Sequence, residues 1–196
     1  MVKSNMGYII GKNDSKSPIF SISYELKVII TYGKYRKEAL EHTFNDFDIY
    51  MIGPRIAYAD TDTVYKEHLL KQMSGKKVAT LFPAHSIWEA HASYDAKYFL
   101  NKAREIAHGV GIDNIRVCLR QEDIENGNGD EFFKQGIDVV SANSAWPNDA
   151  IHFLPKLRAI IETSSLMITN SIGTHIGYGL YFNVPQILVS QKNFFL

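Results

Sequence analysis

SLMITNSIGTHIGYGLYF, residues 165–182, is the stretch of sequence in which the pattern that decides the fold is clearest. Residues 166–169 form an apolar run, which is typical of a strand buried on both faces. The short polar loop 170–173 follows, and a helix is predicted from residue 174 to residue 182. An apolar strand joined by a tight loop to a helix is the repeating unit of a parallel α/β sheet.

The same unit recurs through the second half of the chain. Apolar runs predict four more strands, and helical patterns separate them at residues 93–108, 131–135 and 148–161. The five predicted strands begin near Val78, Ile115, Ile137, Leu166 and Gln186. We therefore expect the α/β class, with a parallel Rossmann-like sheet, helices on both of its faces, and the loops after the first four strands at one edge.

The first part of the chain predicts a smaller α/β segment. A β-branched strand at residues 26–31, a helix at 35–44 and a strand at 47–52 make one βαβ unit. Residues 61–73 predict a further helix, capped by Thr61 or Asp62. Because Ser-Gly-Lys-Lys follows it, we place a linker there and predict two domains, residues 1–75 and residues 76–196.

Composition limits the classes of function. The 196 residues include 21 Lys+Arg and 21 Asp+Glu, so the net charge is zero and a strong general affinity for nucleic acid is not expected. Cys118 is the single cysteine, which excludes an intrachain disulfide, and its apolar surroundings predict a buried thiol. No apolar run reaches membrane-spanning length and the N-terminus does not resemble a signal peptide, so we expect a cytoplasmic protein.

The chain ends a few residues after the fifth strand, at Phe194-Phe195-Leu196. A doubly wound sheet normally continues with a helix that covers this strand. We therefore expect the sequence to be part of a longer protein. We also expect apolar surface at this edge, which a second copy of the chain could bury in a homo-oligomer.

Polar side chains follow the predicted strands where ligands bind in open parallel sheets, beyond the carboxyl ends. His85 and Ser86 come after the first strand, Arg120 after the second, and residues 141–144 after the third. Residues 170–175 follow the fourth strand. Small, polar and basic groups at one edge predict a site for an anion, such as the phosphates of a nucleotide.

The loop after the fourth strand carries most of this prediction. Gly173 would let the backbone approach a ligand, Ser171 or Thr174 would cap the next helix, and the free N–H groups of that helix favour an anion. Asn170 and His175 would complete the loop, with His175 as a further side-chain donor. A tight turn with an ordinary cap explains the same residues, and spacing alone does not separate the two interpretations.

His85 also has two interpretations. It could donate to a phosphate or act as an acid or base near neutral pH, or it could be a loop histidine bonded to a neighbouring carbonyl. No His, Asp or Glu cluster has metal-ligand spacing, so no dedicated metal site is expected. The acidic residues 122–125 and 130–131 are expected to form a solvated face.

A resemblance to a known family rests on three stretches. Residues 154–162, LPKLRAIIE, lead into the strand and loop quoted above, and NVPQI at 183–187 stands where a Gly-Lys-Pro turn is usual. VATLFPAHS at 78–86 looks like the first strand and loop of the same domain, and IGPRIAYA at 52–59 looks like its crossover. Over residues 48–188 the chain resembles the nucleotide-binding half of GT-B glycosyltransferases of the bacterial capsule or surface-polysaccharide type.

The resemblance implies transfer of a sugar from a nucleotide-sugar donor to a glycan acceptor, without a bound metal or other cofactor. It implies His85 as the catalytic side chain that stabilises the leaving diphosphate. The donor would be bound by Ser86, Arg120, Asn170, Ser171, Gly173, Thr174 and His175. In this family the N-terminal domain supplies the acceptor site. Residues 1–75 would be only part of that domain, so a 2-epimerase of the same fold and a non-catalytic nucleotide-binding module stay as alternatives.

Overall fold

The computed structural model describes residues 21–23, 27–86, 92–142, 150–192 and 194–195. Its contacts divide the chain into two compact units, Met1–Ala57 and Tyr58–Leu196. The predicted loop residues 143–144, the first two residues of the helix predicted at 148–161, and the terminal Leu196 lie outside the described residues.

The first unit contains the predicted βαβ arrangement. Strand β1 (Ser21–Ser23), strand β2 (Val28–Thr31), helix α1 (Lys34–Thr43) and strand β3 (Asp48–Met51) follow one another along the chain. β2 and β3 are parallel, and Ile29, Leu40 and Ile49 form a small core between them and α1. The antiparallel pairing of β1 with β2 was not predicted.

The second unit alternates helices and strands as the sequence predicts. Its helices are α2 (Thr63–Met73), α3 (Ala96–Gly109), α4 (Gln121–Glu125), α5 (Asp130–Lys134), α6 (Ala150–Glu162) and α7 (Thr174–Tyr181). Its strands are β4 (Val78–Phe82), β5 (Ala92–Ser93), β6 (Asn114–Cys118), β7 (Asp138–Val140), β8 (Leu166–Thr169), β9 (Gln186–Leu188) and β10 (Phe194–Phe195).

Five of these strands form one parallel sheet in the order β7-β6-β4-β8-β9. Each begins within one residue of its predicted start, which confirms the α/β class with a parallel sheet. The chain order reverses between β4 and β8, and at such a switch point the loops on either side diverge and leave a crevice beyond the strand ends.

Helices pack on both faces of this sheet. On one face, Ala79, Leu81, Val117 and Ile168 join the buried residues of α3 in the main hydrophobic core. On the other face, alternate residues of the same strands contact α6 and α7. Since successive residues of a strand point to opposite faces, this alternation is what a doubly covered sheet requires.

Arg116, in the middle of β6, is a charged residue that the apolar strand pattern does not predict as buried. It is 4% exposed, and its guanidinium donates to the Thr80 and Thr163 hydroxyls and to the Ile160 carbonyl. Burial lowers the pKa of Arg116 to about 10, so the group stays charged at neutral pH. The carbonyl end of α6 stabilises this charge, because a helix C-terminus carries partial negative charge.

Helix α2 lies in the second unit, although the sequence predicted a domain boundary after it. The division falls between Ala57 and Tyr58 instead. Asp62 caps α2 by accepting from the Tyr65 N–H, and the Asp62 N–H donates to the Pro155 carbonyl of α6. The boundary differs because α2 packs against α6, and residues 74–77 are only a tight connection.

An ion network fastens α2 to α6. Glu162 accepts from Lys66 Nζ at 2.6 Å, from Arg158 Nε at 2.7 Å and from the Thr61 hydroxyl at 3.1 Å. Arg158 also donates to the Ala59 carbonyl at 2.6 Å. The Glu162 side chain is only 17% exposed, so the network is shielded from water better than a surface pair would be.

Apolar residues remain exposed near the last strand of the sheet. Leu180 and Tyr181 on α7 and Leu188 on β9 are 65%, 49% and 52% exposed. Strand β10 pairs with β5 in a separate two-stranded sheet. The expected homo-oligomer stays a prediction. Among the described residues, no helix has both the length and the apolar character needed to cross a bilayer.

Acid should weaken the attachment of α2. Burial raises the pKa of Glu162, but the hydrogen bonds from Lys66, Arg158 and Thr61 outweigh it, so the pKa lies below its ordinary value of 4.5. Such a carboxylate stabilises the fold above its unfolded pKa, and that contribution is lost as the pH falls through the folded value. We expect Glu162→Gln to lower the free energy of unfolding by about 1–3 kcal/mol at neutral pH.

Urea unfolding of wild type and Glu162→Gln at neutral pH and at low pH measures this, and the difference should vanish at low pH. Glu105→Gln is the matched control, since Glu105 pairs with Lys102 on the exposed surface of α3 and its loss should have little effect. Equal effects of the two substitutions would mean that the Glu162 network contributes no more than a surface pair.

Candidate functional site

The loops after β4, β6 and β8 meet at the carboxyl edge of the sheet. The Ala84 N–H donates to Asn170 Oδ1 at 2.6 Å, which joins the loops on either side of the switch point. Arg120 Nη1 donates to the Ser86 carbonyl at 2.6 Å, which joins the loop after β6 to the loop after β4. The structure thus brings together three of the four loops in which the sequence placed polar residues.

Helix α7 begins at this edge without the predicted cap. Its N-cap residue is Gly173, and no described side chain makes a capping bond there, so Ser171 and Thr174 do not cap it as expected. Thr174 is exposed and Ser171 is half-buried. The N–H groups of the first turn and the positive end of the helix dipole therefore lie at the switch point. The N-cap residue, a glycine, has no side chain that could accept a hydrogen bond from them.

His175 points into the protein. It is 7% exposed, its ring stacks on Phe82 with centroids 5.3 Å apart, and its Nε2 lies 2.9 Å from the Thr169 hydroxyl. That hydroxyl has one proton, which it donates to the Phe82 or the Ser171 carbonyl, so His175 Nε2 is the donor. Burial, and then the charge of His85, lower the pKa of His175 to about 4. His175 is therefore a neutral residue that shapes the loop.

Gly173 is explained by the same ring. A Cβ at position 173 would lie 2.9 Å from Cε1 and Nδ1 of His175, closer than real Cβ contacts come. The backbone of Gly173 is extended, with φ −155°, so the requirement is for space and not for an unusual backbone angle. The space taken by the His175 ring thus explains a glycine at position 173 without any ligand. The predicted close approach of a ligand is a second explanation.

His85 and Arg120 are the cationic or potentially cationic groups that stay accessible. His85 is half-buried, and burial followed by the charge of Arg120 lowers its pKa, while Asp123 and Glu122 raise it in part. The Arg120 side chain is 27% exposed and its Nη2 lies 2.9 Å from Glu122. An anion bound here would stabilise the protonated form of His85 and raise its pKa.

Asp123 is the residue of this edge that the sequence prediction missed. It was expected on a solvated acidic face, but it is 1% exposed. It accepts from the Ser86 hydroxyl at 2.6 Å and from Asn128 Nδ2 at 2.9 Å. No local signal reveals this, because Ser86 lies 37 positions away in the sequence.

The predicted site residues fall into two groups. His85, Arg120, Ser171, Gly173 and Thr174 are half-buried or exposed and can meet a ligand. Ser86, Asn170 and His175 are buried and bonded to protein groups, so they hold the shape of the edge.

Outside this group, the described residues contain neither a reactive thiol nor a cluster of metal ligands. Burial of the sulfur raises the pKa of the Cys118 thiol to about 12, and the charge of Arg116 offsets this only in part, so the thiol is protonated at neutral pH. The residue as a whole is half-buried and not fully buried as predicted. In the part of the chain that the structure describes, no three His, Cys, Asp or Glu side chains are grouped to hold a metal ion.

A cavity of about 540 Å³ opens at the opposite, amino-terminal edge of the sheet. Its wall includes Met73, His108, Asp113 and Gln135, near the C-terminal ends of α2, α3 and α5. Those helix ends carry partial negative charge, which disfavours an anion, and His108 already faces Asp113 at 3.2 Å. The carboxyl edge is therefore the better candidate site.

Comparison of the chain with protein-family models, curated proteins and solved structures finds no match. The structural class of the protein is therefore defined by its fold and its candidate site alone. The second unit is a parallel α/β domain whose switch point carries a helix N-terminus, a histidine and an arginine.

Gly173→Ala should destabilise the protein by about 1–3 kcal/mol, because the added Cβ displaces the His175 ring from Phe82 and from its bond to Thr169. Gly177→Ala, in the same helix, is the matched control. No heavy atom lies within 4 Å of a Cβ there, so it should stabilise by about 0.5–1 kcal/mol. Thermal and urea unfolding of both variants measure this. A neutral result for Gly173→Ala would show that the ring has room to move.

The stability of the wild type should fall as the pH drops from 6.5 towards 4, because the unfolded chain protonates His175 at about its ordinary pKa of 6.5 while the folded chain keeps it neutral. The loss over this window is on the order of 3 kcal/mol. His175→Gln cannot titrate and should show a shallower dependence. Denaturant unfolding at several pH values between these limits compares the two slopes. Parallel curves would mean that His175 is accessible to protons in the folded state.

Proposed function

We propose that this chain binds the diphosphate of a nucleotide sugar and acts as a GT-B-type glycosyltransferase in the assembly of a surface polysaccharide. The observation that carries the proposal is the position of α7. Its N-terminus, without a side-chain cap, lies at the switch point, and the loop with His85 lies across from it, joined by the Ala84–Asn170 hydrogen bond. A helix N-terminus opposite a histidine that can gain a proton, with Arg120 bonded to the same loop, is a favourable environment for phosphate groups.

The proposed reaction uses this edge electrostatically. An acceptor hydroxyl forms a bond to the anomeric carbon of the sugar, the bond from that carbon to the diphosphate oxygen breaks, and the hydroxyl proton passes to a base. Negative charge grows on the leaving diphosphate. Arg120, the N–H groups at the start of α7 and a protonated His85 would stabilise it, and preorganised donors of this kind are a major source of catalysis.

Two assays in series test the function. Calorimetric titration of UDP and of CDP measures binding, and release of the nucleoside diphosphate from a nucleotide sugar in the presence of glycan acceptors measures transfer. Release that depends on an acceptor supports the transferase. Binding without release supports a nucleotide-binding module, and inversion at C2 of the sugar supports a 2-epimerase.

Thr174→Glu places a carboxylate at the start of α7, where the diphosphate should bind. Repulsion and lost hydrogen bonding should weaken the binding of UDP or CDP by roughly 2–3 kcal/mol, on the order of 30–150-fold. The free energy of unfolding should change little, because an acidic residue at a helix N-terminus is itself favourable. Calorimetric titration and a thermal melt measure the two effects.

Gln72→Glu provides the control, because it adds the same charge at an exposed position near the end of α2, at the other edge of the sheet. It should leave nucleotide affinity unchanged. If Thr174→Glu binds UDP and CDP as tightly as wild type, the loop before α7 is only a turn, and the proposal loses its structural support.

A further inference from the structure

A buried carboxylate lies behind the accessible groups of the candidate site. Both the Ser86 hydroxyl and the Ser86 N–H donate to Asp123, at 2.6 Å and at 3.2–3.3 Å. The Ser86 hydroxyl also accepts from the Ala92 N–H at 3.1 Å. Ser86 is 3% exposed, so these bonds are made away from water, where each has more effect than it would at the surface.

The same serine is held from the other side by Arg120, which donates to its carbonyl at 2.6 Å. Every polar atom of Ser86 is thus bonded, two of them to Asp123 and one to Arg120. His85 is the preceding residue, and its backbone is therefore fixed at its C-terminal side. The position of the histidine at the edge therefore depends on the bonds of Ser86.

The buried carboxylate of Asp123 has an unfavourable desolvation free energy. In the described parts of the chain no cationic group makes an ion pair with it, and its hydrogen bonds come from Ser86 and Asn128, which are neutral. A neutral side chain could hold Ser86 at a smaller desolvation cost. The negative charge of Asp123, unlike a neutral side chain, also raises the pKa of His85.

We propose that Asp123 is a positioning residue of the diphosphate site, which fixes Ser86 and thereby holds His85 beside Arg120 in a state that can donate to an anion. This inference rests on the proposed function, because it names the residue that prepares the same site. Asp123 would not touch the nucleotide. It acts through Ser86 and through its field.

The electrostatic part follows from the groups around His85. Burial and the charge of Arg120 lower the pKa of His85, whereas Asp123 and Glu122 raise it. His175, the other titratable group nearby, has its own pKa lowered to about 4 and is neutral near pH 7. Removing the charge of Asp123 should therefore lower the pKa of His85 further, and the ring would gain its proton less readily when an anion binds.

Asp123→Asn tests the inference, because asparagine keeps the shape and one acceptor oxygen but removes the charge. Proton–carbon NMR of the histidine rings, recorded over a pH series without ligand, should give a lower pKa for His85 than in the wild type. UDP affinity, measured by calorimetry, should fall by about 3–10-fold, the range expected for weakening one hydrogen bond. Glu125→Gln, an exposed acid on the same helix, should alter neither quantity.

Ser86→Ala separates position from charge and covers the case in which Asp123→Asn does not fold. It keeps the Asp123 carboxylate but removes the hydroxyl, so UDP affinity should fall while the pKa of His85 stays closer to the wild-type value. An unchanged pKa of His85 with unchanged UDP affinity in Asp123→Asn would overturn the inference. If UDP fails to bind the wild type, the proposed function falls, and the ligand-free titration of His85 alone still decides whether Asp123 acts on it.

Discussion

The Thr169 hydroxyl joins the two central strands at the point where the order of the chain reverses, and the candidate site depends on this contact. It donates to a carbonyl of the neighbouring strand or loop and accepts from His175 and from the Ser171 N–H. One buried oxygen thus sets the end of β8, the path of the loop after it and the start of α7. Because the contact is buried, its geometry can vary little, and the helix N-terminus is held at a defined place on the sheet edge.

The strands could be predicted from the sequence because their signal is local. A strand buried on both faces must be apolar along its whole length, as residues 78–82 and 166–169 are, and no distant residue alters that requirement. The location of the polar loops at the carboxyl edge could also be predicted, since parallel strands end at the same edge of a sheet. The domain boundary did not follow, because the packing of α2 on α6 is a long-range contact between segments about 100 positions apart.

The interior of the site was beyond prediction for a related reason. The type of a side chain indicates which bonds it can make, but its burial decides whether it bonds to a ligand or to other protein groups. His175 and Ser86 were expected to face a ligand and instead bond to Thr169 and Asp123. Asp123 was expected in water. Each of these bonds joins segments whose meeting depends on the loops around the switch point, and the periodicity of the sequence carries no information about loop paths.

The buried polar contacts of the second unit differ in their sensitivity to pH, and those of Arg116 are insensitive to acid. Its guanidinium is bound by hydroxyl and carbonyl oxygens, and since none of these titrates below neutral pH, the contact between β6 and the end of α6 is indifferent to acid. The Glu162 attachment and the His175 contact both depend on protonation state. Mild acidification would therefore act first on the His175 contact and the loop before α7, and stronger acidification would act on the attachment of α2, while the Arg116 contacts keep their hydrogen bonds.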